Sequence, residues 1–535
     1  MRSCRVALLL VWGTATVGVS AVTAQNAPSE AAASPSSSVA PSLGGAEHLY
    51  RTGKFDAAIQ EYQTLSTGPQ AALAYVGLER AYLRQKRPSD AYAAVTKAAE
   101  IAPTLPDVQV GLGEAYFRQG KIPEAEGEFV AVINSGAKNA RAYLGLARVS
   151  QAASLYHRAK DMIDRAHNLD PADPDVTRFW TARLTLGERI KALHDYLAQD
   201  TDDDAEARTA LERQLILLQA QSALPVHQCR MVSTISSTQT DFRQLLVGPN
   251  RLRGYGLDVK LNGDTSHLLL DTGADGILVD RKVAEKAGIK QIVNTDIHGV
   301  GDRGPVGGYV ALADSIEIGE LKFRDCYVQV IEKNSVIGED GLIGGDVFSQ
   351  FLVDLDFPNE KFRLSQLPPR PDEPAETAAL ESGSNPTSRF HDRYVAPEMR
   401  SYWPVFRFGH MLLIPTRLND SEPKLFLIDT GAFNNIISPD AAREVTKVSG
   451  DPNLHVNGLN GEVKNVFRGN DLKLTFANMR QENQDIVALD TKELSDGIGT
   501  EISGTLGFAM LRMLDTKIDY RDGLVSFTFD AKRWH

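Results

Sequence analysis

The sequence predicts a multidomain chain with an α-helical repeat array in its first half and two all-β modules in its second. Two observations predict this. Gly77-Leu78, Gly111-Leu112 and Gly145-Leu146 recur at a step of 34 residues, the period of stacked helix pairs. Leu268-Leu269-Leu270-Asp271-Thr272-Gly273-Ala274 returns 158 residues later as Phe426-Leu427-Ile428-Asp429-Thr430-Gly431-Ala432, which marks a duplicated module. Composition agrees. With 42% hydrophobic and 24% charged residues over 535 positions, a wholly disordered or fibrous chain is excluded, and three or four domains are expected at roughly 150 residues each. Lys and Arg number 57 against 69 Asp and Glu, a net charge of −12, which argues against a dominant nucleic-acid or anionic-membrane role.

Residues 1–24 read as a secretory signal: Arg2 and Arg5, an apolar stretch to Val19, then the small residues Val22-Thr23-Ala24. The other reading is a membrane anchor, but Gly13, Thr14, Thr16 and Gly18 interrupt a stretch already short for a span. No later segment has 18 uninterrupted apolar residues, so no span is expected after signal cleavage. The chain is thus expected to be exported, periplasmic or secreted from a bacterium. Cys229 and Cys326 then remain as a pair. Export permits a bond between them, and two free buried thiols are the alternative. Residues 25–45, rich in Ala, Ser and Pro, lack the apolar surface to fold and read as a disordered linker.

The repeat array is expected over residues 46–200. Tyr82 and Tyr116 keep the 34-residue step, Glu100-Ile101-Ala102-Pro103 and Asn168-Leu169-Asp170-Pro171 stand two steps apart, and the prolines fall where helices must stop. This segment resembles the tetratricopeptide repeat (TPR) family, which implies a curved solenoid with a concave groove. Recruitment of a protein partner and service as a spacer both remain open. A helical connector is expected over 201–245.

The two β modules are expected over 246–367 and 390–535, joined by a Pro-, Glu- and Ala-rich tether at 368–389. In each, an apolar strand runs into Asp-Thr-Gly-Ala. A second strand follows (Ile277-Leu278-Val279; Asn435-Ile436-Ile437), then an N-cap (Asp280; Ser438) and a short helix. Gly341-Leu342-Ile343-Gly344-Gly345 and Gly504-Thr505-Leu506-Gly507-Phe508 come 70 and 75 residues after the aspartates. Strand pairs at 351–357 with 361–364, and 516–520 with 524–529, close the modules. These features resemble the aspartic proteases, most closely the retroviral-type (retropepsin-like) branch. The resemblance implies two retropepsin-like acid-protease β-barrel modules and a catalytic dyad of Asp271 and Asp429. The turns Thr272-Gly273-Ala274 and Thr430-Gly431-Ala432 would form the active site, the threonines locking the turns together through their hydroxyls.

Paired carboxylates suit this chemistry. Held about 3 Å apart they cannot both ionise, so one activates a water while the other donates a proton. No metal and no cofactor is required. The resemblance also asks for a glycine-bearing flap over each half of the site. Gly299, Gly301 and Gly304 supply the first candidate, Gly458 and Gly461 the second. Gly299-Val300-Gly301-Asp302-Arg303-Gly304 also fits a dinucleotide fingerprint, but strands follow it where a helix should open. The histidines, His410 among them, read as satisfied core or surface residues, and no His-Glu-x-x-His pair occurs. Two sequence-level questions stay open: whether the modules pair within one chain or between chains, and whether the copies still cut. The expected function is an aspartic endopeptidase acting on polypeptide, with the repeats recruiting substrate or partner. The competing reading is a non-catalytic peptide-binding or scaffold protein of the cell envelope.

Overall fold

The computed structural model describes residues 5–7, 11–12, 41–198, 205–223, 229–247, 250–332, 340–371, 391–451 and 454–533. Most of the sequence expected to be a signal, the whole 25–40 segment and most of the 368–389 tether lie outside them. The described parts of the former, Arg5–Ala7 and Val11–Trp12, are short strands beside His455–Asn457 and His298–Gly299. No helix among the described residues is long and apolar enough to cross a membrane. The chain divides into two compact units, one holding residues 1–13, 150–160 and 224–535, the other 14–149 and 161–223.

The helical region consists of pairs. They are α1 (Leu43–Arg51) and α2 (Phe55–Leu65), α3 (Ala71–Arg84) and α4 (Pro88–Ile101), and α5 (Pro106–Arg118) and α6 (Ile122–Asn134). Then follow α7 (Ala140–Ala152) and α8 (Tyr156–Leu169), α9 (Pro174–Thr181) and α10 (Leu186–Leu197), and a closing α11 (Ala205–Ser222). Prolines open four of these helices at N1 or N2, where the missing N–H costs nothing. The repeating glycines are close-approach points. A Cβ at Gly77 would stand 2.3 Å from the Tyr62 ring, and one at Gly145 would stand 2.3 Å from Phe129.

First helices of the pairs carry a buried ion network. Arg141 of α7 meets Glu114 of α5 at 3.1 Å, Asp173 at 2.8 Å and Asp175 of α9 at 3.0 Å. Tyr50 of α1 donates its hydroxyl to Asp175 at 2.6 Å, and Arg84 of α3 reaches the same carboxylate at 3.0 Å. Burial alone would raise Asp175, but Arg141, Arg178 and Arg84 hold it well below the usual carboxylate range. Contacts 125 residues apart in sequence thus bring the first and fifth pairs together. Glu79, fully buried, is pushed upward by burial and by the Glu114 charge.

The second half is β-rich, and strand pairing begins earlier than expected. Arg230–Met231, Ser237–Asp241 and Arg243–Val247 are strands that pair with Leu321–Ile331, Lys361–Gln366 and Arg251–Leu261. The 201–245 segment is therefore a helical connector only through α11. Its later residues belong to the β region, because Phe242 and Leu245 are apolar side chains buried by these pairings. Each module has its own sheet. In the first, Val259–Leu261 pair back onto Ile316–Ile318, and in the second Thr416–Leu418 pair onto Leu474–Phe476, so both sheets curl towards closure. Ser438 caps its helix through the Ala441 N–H, whereas Asp280 stands at the N-cap without such a bond.

A six-stranded sheet joins the modules. Phe351–Asp356 of the first runs antiparallel to Leu514–Asp519 of the second, with Asp354 opposite Lys517. One hydrophobic cluster spans both, from Tyr255 and Phe357 to Phe508, whose ring meets Tyr255 edge-on at 5.3 Å. Both ends of the tether are fixed at one residue: Asp522 Oδ1 accepts from Arg370 at 2.5 Å and from the Tyr394 N–H at 2.9 Å. Cys229 and Cys326 form a disulfide across 97 residues, which resolves the alternative left open by sequence.

Two stability outcomes follow. Cys326→Ser should lower the melting temperature of the oxidised chain to that of the reduced parent, since closing a loop near 100 residues is worth about 4 to 5 kcal/mol in the chain-entropy account. Arg141→Ala should unfold the helical unit at markedly lower urea. It removes the one cation that Glu114, Asp173 and Asp175 share, at a cost of about 3 to 5 kcal/mol, and circular dichroism at 222 nm reads it.

Candidate active site

Asp271 is the last residue of strand Asp264–Asp271, and Asp429 the last of Lys424–Asp429. Each strand lies parallel to its distal glycine strand, so that Gly344 stands opposite Asp271 and Gly507 opposite Asp429. Glycine is required there: a Cβ at Gly344 would come within 2.5 Å of the Ala274 carbonyl oxygen, and one at Gly507 within 2.3 Å of that of Asn434.

The two turns face each other within one chain. Thr272 Oγ1 donates to the Ile428 carbonyl at 2.8 Å and accepts from the Thr430 N–H at 3.1 Å. Thr430 Oγ1 returns both bonds, donating to the Leu270 carbonyl at 2.8 Å and accepting from the Thr272 N–H at 3.0 Å. All four are buried, and each hydroxyl satisfies two backbone groups that would otherwise stand unpaired. Gly431 allows the approach, since a Cβ on it would lie 2.3 Å from the Asp271 carboxyl.

Both carboxyls are fully buried. Oδ1 of Asp271 accepts from the Gly273 N–H at 2.9 Å. Oδ1 of Asp429 accepts from Gly431 at 2.9 Å and Ala432 at 3.0 Å. Among the described residues outside the pair, none hydrogen-bonds to Oδ2 of either. Burial raises Asp271 well above the ordinary carboxylate range, and the Asp429 charge adds to it. Burial also raises Asp429, to about 7, against the lowering effect of the Ala432 and Gly431 N–H groups. Coupled this closely, the two titrate as one unit that holds a proton up to neutral pH.

The flap candidates meet at their tips. Strands Lys290–Gly299 and Val306–Ile318 make one hairpin, His455–Gly458 and Gly461–Val463 the other. Asn460 N–H donates to the Val300 carbonyl at 2.9 Å, and Arg303 N–H to the Asn460 carbonyl at 3.1 Å. Gly301, at φ +140°, abuts the Asn460 backbone, and Gly461, at φ +102°, abuts the Arg303 side chain. Gly304 takes φ +73° in the first turn, while Gly299 and Gly458 end their strands. The glycine run that matches a dinucleotide fingerprint is thus a hairpin tip.

Residues 257–347 and 414–509 each match the family model described as aspartyl protease. The second half of the chain thus carries two tandem matches to the aspartyl protease family. Residues 82–149 match the tetratricopeptide repeat model. Among solved structures the chain is similar to an aspartic proteinase from Irpex lacteus, at 14% identity over 55% of this chain and 98% of that one, with a TM-score of 0.34. No curated protein matches it.

Around the aspartyl protease turns stand residues that the sequence did not single out for this role. His410, in a hairpin of the second module, places Nε2 3.1 Å from the Gly273 carbonyl of the first. Burial lowers its pKa, against the pull of Asp346. Asp346 Oδ1 accepts from the Gly276 N–H at 3.0 Å. In the second module Asn435 Oδ1 accepts from Gly507 N–H at 2.8 Å. Among the described residues no three His, Cys, Asp or Glu side chains form a group that could hold a metal ion.

Folding raises both aspartates, so the folded chain binds more protons than the unfolded chain from about pH 4 to about 7. The stability they contribute is full below pH 4 and falls as pH rises through that window. Asp429→Asn should therefore melt several degrees above the parent at pH 7, with the difference closing at pH 4; differential scanning calorimetry at the two pH values checks this.

Proposed function

We propose that the chain is an aspartic endopeptidase with Asp271 and Asp429 as its dyad. The observation that supports this most is the facing pair itself: two buried carboxyls, each with Oδ1 held by turn N–H groups and Oδ2 without a hydrogen bond from any other described residue outside the pair. A water between them has an ionised carboxylate to take its proton and a protonated carboxyl to give one. The water oxygen attacks the peptide carbonyl carbon, its proton passes to the ionised carboxylate, and the partner's proton passes to the carbonyl oxygen. The resulting gem-diol collapses as the newly protonated carboxyl gives its proton to the leaving nitrogen, the C–N bond breaks, and a gem-diol hydroxyl returns its proton to the ionised partner, which frees carboxylic acid and amine and restores the dyad. No covalent enzyme intermediate forms. The flaps, hydrogen-bonded at their tips, would exclude water from the reacting centre and strengthen its electrostatics.

The substrate is polypeptide, and the TPR-like solenoid is read as holding the substrate or a protein partner. Its surface for that lies outside the buried Arg141 network, which already binds its own helices together. Export to the periplasm or beyond fits the expected signal sequence at 1–24, and the Cys229–Cys326 disulfide is chemistry of an oxidising compartment.

The test is cleavage of an unfolded protein by the mature chain from pH 3 to 8, beside Asp271→Asn and Asp429→Asn. The parent should cut below about pH 7 and lose activity as the last dyad proton leaves. Each variant should fall roughly 10³-fold or more, since each removes one partner of the proton transfer. A parent that cuts at no pH, or variants that cut as the parent does, would overturn the reading.

A further inference from the structure

Beside the Asp429 turn the second module holds a cavity of about 210 Å³. At about 30 Å³ per water it has room for one amino-acid side chain, and is smaller than the pockets of whole small-molecule ligands. Asn434 and Asn435, the fifth and sixth residues after Asp429, form one wall. Gln481, Asn483 and Asp485, alternate residues on one face of strand Met479–Leu489, form another, with Arg468 from the neighbouring strand.

The chemistry of this wall is polar and close to charge-compensated. Asn435 is fixed, its Oδ1 taking the Gly507 N–H and its Nδ2 donating to Gln481 Oε1 at 2.6 Å. That leaves the Gln481 amide nitrogen as a donor with no partner among the described residues, and the Asn434 carboxamide as donor and acceptor together. Asn483 spends its nitrogen on the Leu472 carbonyl at 3.4 Å and keeps Oδ1 as an acceptor. The Arg468 charge is answered by Asp451 at 2.6 Å and Asp485 at 3.7 Å. Donors and acceptors in one small space, with the cation already paired, match a ligand that is itself both donor and acceptor and carries no charge.

The first module lines the equivalent positions with different side chains. At the same sheet register it places Gly276, Ile277, Val310, Phe323, Asp325 and Tyr327 where the second has Asn434, Asn435, Arg468, Gln481, Asn483 and Asp485. Fused copies can diverge in this way, whereas two identical subunits present the same wall on both sides.

We propose that this cavity is a specificity subsite for the side-chain carboxamide of a Gln or Asn residue in the polypeptide substrate, on the Asp429 side of the site. The proposal rests on the peptidase reading above. Its test has two arms. In the first, the parent and Gln481→Leu digest a denatured protein mixture, and mass spectrometry scores each position around the cut bonds. The parent should favour Gln or Asn over Leu at one position by roughly tenfold, and Gln481→Leu should erase that ratio. In the second, Asp271→Asn, with and without Gln481→Leu, binds hexapeptide pools that carry Gln or Leu at one fixed position, measured by calorimetry. The Gln pool at one position should bind roughly tenfold tighter, and the advantage should vanish with Gln481→Leu. Cleavage without any carboxamide preference, or a preference that survives Gln481→Leu, overturns the subsite and leaves the peptidase standing. No cleavage with a carboxamide preference in binding overturns the peptidase and leaves the subsite. A preference for Lys or Arg assigns the cavity to the Asp485 charge instead and overturns the carboxamide proposal.

Discussion

Two carboxyls with no exposure to water, brought face to face, are the constraint on which the second half of this chain turns. Left to themselves they repel, and burial raises the cost of charging either. They are held by what surrounds them. The reciprocal bonds between Thr272 and Thr430 tie each turn to the strand leading into the other, so that neither aspartate can withdraw without breaking both halves. The six-stranded sheet and the shared aromatic cluster do the same at larger scale, binding module to module through register and packing. What results is a strained electrostatic arrangement on a rigid base, which is where proton-transfer chemistry is ordinarily found.

Duplication explains the symmetry, and fusion explains its loss. Strand register is shared to the residue over the turns and the hairpins that follow them. Yet His410 of the second module reaches the Gly273 turn of the first, and the carboxamides that line the cavity by Asp429 have no counterparts at the matching positions of the first module. A peptide has direction, so a site with two unlike flanks can read it in one orientation.

Much of this was legible because it is local. An apolar strand ending in Asp-Thr-Gly-Ala and a capping Ser438 both depend on neighbours in sequence. The 34-residue step was legible for the same reason, since each glycine meets an aromatic ring or a branched side chain of an adjoining helix. What the sequence hid is made at a distance. Residues 229–241 read as a connector because two- and five-residue strands carry little pattern of their own, and their partners lie 92 to 128 residues on. Arg141 gives no hint in sequence that Glu114, Asp173 and Asp175 will surround it. His410 looked like any satisfied histidine, because its partner is a backbone oxygen 137 residues away.

Asp522 gathers both ends of the tether, with Arg370 on one side and Tyr394 on the other. Continuity of the chain between them is thus mechanically redundant. A protease of another kind that nicked the tether would leave two polypeptides still clasped through one carboxylate, the common sheet and the threonine bonds. The molecule would then be a heterodimer by covalent structure, with its two aspartates still held by the contacts that hold them now.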